Sequence, residues 1–162
     1  MIVLFASAVV FTSCDVMTDE PAGGTAVESL AGHWVVTLDV LDEEGNVLAE
    51  NVAGTRSMQT FNTAENDNDK MWMSFMGDQF KISTNVSQGT FDCKDVYVYS
   101  DEDDDGNEYD VFITISDGKV IKNGGKNIHD KPVDAIEFKV KYSDDPESIY
   151  LVHGIRYQGF TE

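Results

Sequence analysis

The chain has 162 residues, enough for one ordinary domain and too few for two with good cores. Its 30 acidic residues against 11 basic give a formal charge of −19, which repels nucleic-acid phosphates, so no nucleic-acid partner is expected. A hydrophobic content of 41% with 10% aromatics excludes a disordered acidic chain, and two cysteines, Cys14 and Cys93, exclude a disulfide scaffold.

The first element is the apolar run Ile2–Phe11, followed by Thr12-Ser13-Cys14. The run is too short for a bilayer span, which needs about 20 apolar residues; a buried N-terminal strand is the structural alternative. Small residues just before a cysteine resemble the signal peptide and lipobox of bacterial lipoproteins. That resemblance implies that residues 1–13 are a signal peptide and that Cys14 receives a diacylglycerol and becomes the new N-terminus. It places the protein at the outer membrane of a Gram-negative bacterium, with the membrane as partner through its lipid anchor. Residues 14–29, which include Pro21-Ala22-Gly23-Gly24-Thr25, read as a flexible tether. The folded domain is expected over residues 30–162.

From Ala31 the pattern is strands and turns. Trp34, Val36, Leu38 and Val40 alternate on one face of the first strand. Asp42-Glu43-Glu44-Gly45-Asn46 is a hairpin turn, and a second strand runs to about Phe61. After the polar loop Asn62–Asp69, Met71–Phe75 and Gln79–Val86 form a hairpin turned at Gly77-Asp78. Thr90–Ser100 and Glu108–Asp117 pair across an acidic loop, and Asp117-Gly118 turns the chain into Lys119–Lys122. Val133–Tyr142 alternates with Ile136, Phe138 and Val140 on one face. The Asp144-Asp145-Pro146 turn leads into a last strand, Ser148–Phe160. Eight or nine antiparallel strands with short loops predict an all-β fold, either a sandwich or an up-and-down barrel, and closure removes the exposed edges.

Gly32-His33-Trp34 in the first strand and Arg156 in the last resemble the lipocalin and calycin pattern, in which a late Arg packs over the Trp ring. The resemblance implies that Trp34 and Arg156 close one end of an antiparallel up-and-down barrel of about eight strands. Ala31-Gly32-His33-Trp34-Val35-Val36, Thr60-Phe61-Asn62-Thr63-Ala64, Lys70-Met71-Trp72-Met73 and Gly154-Ile155-Arg156-Tyr157 are together similar to the lipid-binding putative hydrolase family of lipocalin-like lipoproteins. That family implies a small hydrophobic or lipid ligand. Inward residues expected to line its cavity are Val36, Leu38, Met58, Met73, Phe80, Ile82, Val111, Ile113, Ile136, Phe138 and Val140. The methionines suit a flexible apolar guest, and a solid core that leaves a surface interaction module is the competing reading.

Hydrolytic chemistry has little support in the residues. No Gly-x-Ser-x-Gly elbow occurs, and His33, His129 and His153 lie far apart with no metal-ligand spacing. No catalytic residue is assigned and no cofactor is expected beyond weak calcium. Asp101, Asp103, Asp105 and Gly106 match the first half of a calcium loop, but Phe112 stands where a bidentate Glu belongs. The competing reading is a solvated hairpin turn.

Overall fold

The computed structural model describes residues 24–159, so the apolar run, Cys14 and Phe160 lie outside the described residues. Nine strands follow in chain order: β1 Gly32–Leu41, β2 Val47–Ala49, β3 Arg56–Asn62, β4 Lys70–Phe75, β5 Asp78–Asn85, β6 Thr90–Glu102, β7 Glu108–Lys126, β8 Pro132–Tyr142 and β9 Ile149–Arg156. Successive strands pair antiparallel, and β1 also pairs β9 from Trp34↔Arg156 to Leu41↔Ile149. This closes an eight-stranded barrel, with β2 as a short ribbon hung on the end of β1. The expected second strand is therefore two elements, β2 and β3.

Closure depends on glycine at one seam position. Gly154 sits opposite Val36, where a Cβ would lie 2.1 Å from the Val35 carbonyl oxygen. Only a residue without a side chain lets the two backbones meet there.

Several turns share one construction. Asp42–Asn46, Asp103–Asn107 and Asn127–Lys131 each close with the first residue's N–H donating to the fifth residue's carbonyl. In each, the fourth residue has positive φ: Gly45, Gly106 and Asp130. The first side chain, Asp or Asn, accepts backbone N–H groups from within its own loop.

Two expected turns are elsewhere. The β4–β5 reversal is at Met76-Gly77, both at positive φ (54° and 104°), with Phe75 and Asp78 paired across it. This is the two-residue hairpin geometry that Asn-Gly usually supplies. Asp117-Gly118 does not reverse the chain. It is a bulge within the 19-residue β7, with Asp117 at φ 56° and the register to β8 shifting between Ser116 and Lys119. A Cβ on Gly118 would lie 2.3 Å from the Phe91 carbonyl oxygen. The bulge lets one long strand bend around the barrel.

The core is the barrel interior, from Trp34, Val36 and Leu38 of β1 round to Phe138 and Val140 of β8 and Val152 of β9. The packed unit also reaches back before residue 30. Val27 and Leu30 are fully buried in a turn where the Leu30 and Ala31 N–H groups both donate to the Val27 carbonyl. The tether thus gives way to the domain by about Thr25.

Candidate functional site at the barrel mouth

The two ends of the barrel differ. At the end where β1 begins, Arg156 Cζ lies 4.5 Å from the centre of the Trp34 ring. Its Nη1 donates to the Ala31 carbonyl, and Nη2 pairs with Asp134 Oδ2 at 3.3 Å. The indole N–H of Trp34 donates to Thr60 Oγ1 (2.9 Å), and that hydroxyl donates to the Leu30 carbonyl (2.7 Å). Among the buried side-chain polar atoms of the described residues, only Arg156 Nε lacks a hydrogen-bond partner. The small residue of the Gly-x-Trp pattern is explained as well, because a Cβ at Gly32 would stand 2.6 Å from Arg156 Nη1.

The middle of the barrel is filled. Phe138 stacks edge-on against both Phe75 and Phe91, with ring centres 5.6 Å apart in each pair. Val36, Met58, Met73, Phe80, Ile82, Ile113, Ile136 and Val140 are buried in the same cluster. Val111 is buried too, though outside that cluster. Among the predicted lining residues, only Leu38 faces the cleft described next. The others interlock, as the side chains of a small barrel can.

The opposite end is open. A cleft of about 720 Å³ opens there, within the range of small-molecule sites. Its apolar floor is Leu38 and Val40 of β1 with Val52 and Ala53 of the segment after β2. That segment is pinned to β1 at two points. The Val52 N–H donates to the Leu38 carbonyl (2.8 Å), and the Asn51 N–H donates to Asp39 Oδ1 (2.8 Å). The Asn51 contact and, after it, the His153 imidazole hold the Asp39 carboxyl below the usual carboxylate range, against the opposing effect of burial.

The walls and rim are polar. Tyr99 donates to Asp144 Oδ2 (3.1 Å) and Tyr150 to Asp145 Oδ2 (2.6 Å), while Tyr142 packs edge-on against Tyr150. Burial, then the Asp144 hydrogen bond, pushes Tyr99 up to about 12. Burial likewise raises Tyr142, with Asp78 the next cause, and the Tyr150 hydrogen bond lowers Asp145. Burial also raises Asp78. Among the described residues, no Lys, Arg or His lines the cleft. Met76, at left-handed φ and 44% exposed, projects a flexible apolar side chain at the edge.

These tyrosines are legible in principle. Tyr142 continues the inward phase of Val140, and Tyr150 that of Val152. Asp78, Asp144 and Asp145 read only as turn residues, because nothing local shows that two hairpin tips converge with a third element.

A sequence model of the family described as "Lipid-binding putative hydrolase" matches residues 19–161. The chain belongs to that family. A crystal structure of a protein of unknown function from Bacteroides ovatus is similar at 10% identity and a TM-score of 0.44, covering 78% of this chain and 41% of that one. This chain thus spans less than half of that protein's length. No curated protein matches.

Set against the hydrolase half of the family's description, the nucleophile candidates are poorly placed. Cys93 is buried, and desolvation pushes its thiol up to about 11, which disfavours the reactive thiolate. His153 Nε2 lies 3.0 Å from Asp39 Oδ2 and 3.3 Å from Thr37 Oγ1, so both neighbours use the same ring nitrogen. A triad needs them on opposite nitrogens. His33 Nε2 meets Ser57 Oγ at 2.5 Å on the outer wall, and among the described residues no carboxylate hydrogen-bonds that imidazole. His129 lies in the exposed β7–β8 turn.

The acidic loop is the Asp103–Asn107 turn. The Asp103 carboxylate accepts from the Asn107 side chain and from the Asn107 and Asp105 N–H groups. Asp101 accepts from the Glu102 N–H. Among the described residues no three acidic, His or Cys side chains converge to hold a metal.

Proposed function

We propose that this lipid-binding barrel holds a single-chain amphiphile with its tail on the Leu38–Val52–Ala53 floor and its polar end at the tyrosine rim. The cleft carries this reading, because it combines an apolar floor with tyrosine and carboxylate groups in one concavity. Burial of the tail at about 25 cal/mol per Å² supplies most of the affinity, less the cost of ordering the chain. Met76 supports the same reading. A methionine in a left-handed turn position is strained by about 1–3 kcal/mol, and such strain concentrates at functional sites.

We further propose that the protein works as a membrane-tethered lipoprotein through Cys14, outside the cytoplasm, at the outer membrane. The apolar run and the small residues before Cys14 support this. The family match begins at residue 19, beyond that cysteine.

The test is titration of a neutral fluorescent alkyl alcohol into the protein and into Ala53→Trp, which fills the cleft from a segment outside the strands. Binding lost by at least tenfold with unchanged thermal unfolding supports the reading. Equal binding by both proteins overturns it.

A further inference from the structure

The amphiphile reading leaves the head group open, and the rim narrows it. Resting on that reading, we propose that the mouth selects an amphiphile with a cationic amine or quaternary ammonium head. The cleft that would seat it is walled by Tyr99, Tyr142 and Tyr150, and its rim carries Asp78, Asp144 and Asp145.

A fatty-acid carboxylate would enter a site with three acidic groups and no lysine, arginine or histidine to receive it. Like charges brought together in a partly desolvated site repel, and the wider surface at −19 adds to the repulsion. An ammonium meets the reverse situation. Aromatic faces attract a cation through their quadrupoles, and tyrosine-lined sites with nearby carboxylates suit quaternary ammonium ligands. Two hydrogen bonds prepare the rim. Tyr99 and Tyr150 spend their hydroxyl protons on Asp144 and Asp145, which fixes those carboxylates beside the rings as acceptors. Among the described residues Asp78 makes no tyrosine hydrogen bond; its partial burial disfavours the charged carboxylate, and a cation beside it would offset that cost.

The experiment compares three probes of equal chain length below their micelle concentrations, dodecyltrimethylammonium, dodecanol and dodecanoate, by calorimetry on the full chain at fixed salt. The expected order is ammonium, then alcohol, then carboxylate, with at least tenfold between the first and the last. Asp78→Asn should narrow that ratio severalfold. The double variant Glu65→Gln/Asp69→Asn, which removes charge from the exposed β3–β4 loop at the closed end, should leave it unchanged. Equal narrowing by both variants would reduce the preference to general attraction by an acidic protein and overturn the proposal. Equal affinity for all three probes, still lost in Ala53→Trp, would also overturn the head-group assignment while leaving the cleft as the lipid site. No affinity for any of the three would sink the cleft reading itself.

Discussion

Arg156 lies over the face of Trp34 across the β1–β9 seam, and the two are direct cross-strand partners. The contact is both a cation–π pair and the bolt of the closed end, because the same guanidinium ties down Ala31 and Asp134. Its position explains why one end of the barrel is sealed and the other can receive a ligand.

Replacing Arg156 with leucine removes the cation–π contact, worth about 0.5–2 kcal/mol, and leaves the Ala31 carbonyl without this donor. A loss of about 2–3 kcal/mol is expected in urea unfolding. Gly32→Ala should lose less with every polar group retained, since the guanidinium its Cβ meets is the end of a flexible side chain and can shift. Probe binding at the far mouth should be unchanged in both. An unaltered urea midpoint in Gly32→Ala would mean that the guanidinium does not depend on the missing side chain.

Met76→Asn should separate stability from function. Asparagine tolerates left-handed φ and precedes Gly77 in the favoured hairpin pair, so a gain of about 0.5–1 kcal/mol is expected. The same change removes an apolar side chain from the cleft and should weaken alkyl-probe binding severalfold. Thermal unfolding and titration of one preparation measure both effects.

The contact between Asp39 and the segment after β2 should be pH-dependent. Its carboxyl lies below its ordinary value in the folded protein, so its contribution is full above about pH 4, the unfolded range. That contribution is lost as pH falls through the lower folded value. Asp39→Asn should therefore be less stable than the parent at neutral pH, and the two should converge in strong acid. Urea midpoints from pH 7 to pH 2 give the comparison; a difference that persists unchanged in acid would exclude the ionised carboxylate as its source.

Asp103→Ala removes the acceptor that organises the acidic turn. A loss of about 0.5–1.5 kcal/mol is expected, from several hydrogen bonds at a solvent-exposed loop. Asp42→Ala, at the equivalent place in its own turn, should behave alike. If the carboxylates serve turn closure, millimolar calcium will leave the melting temperature of the parent where it is. A calcium-dependent rise absent in Asp103→Ala would instead give the loop a cation.

Period-two alternation made the strands around Trp34 and Phe138 legible, and the pairing of a Gly-x-Trp strand with a late Arg pointed to closure. Phe80, Ile82 and Ile113 also read as inward, from less regular alternation. Whether inward meant lining or filling was not, because the answer depends on how Phe75, Phe91 and Phe138 from three separate strands meet. Asp117-Gly118 misled for a related reason. An Asp-Gly pair offers positive φ to a turn or a bulge alike, and only continued pairing with β6 and β8 distinguishes the two. The mouth was hardest, since Asp78, Asp144 and Val52 come together only once the ring has closed.

That ring is completed by its final strand. Until Ile149–Arg156 has left the ribosome, β1 lacks its β9 neighbour and β8 has none on that side, so two raw borders face the surroundings. Until that strand docks, the open barrel can pair with another chain or be held by a chaperone.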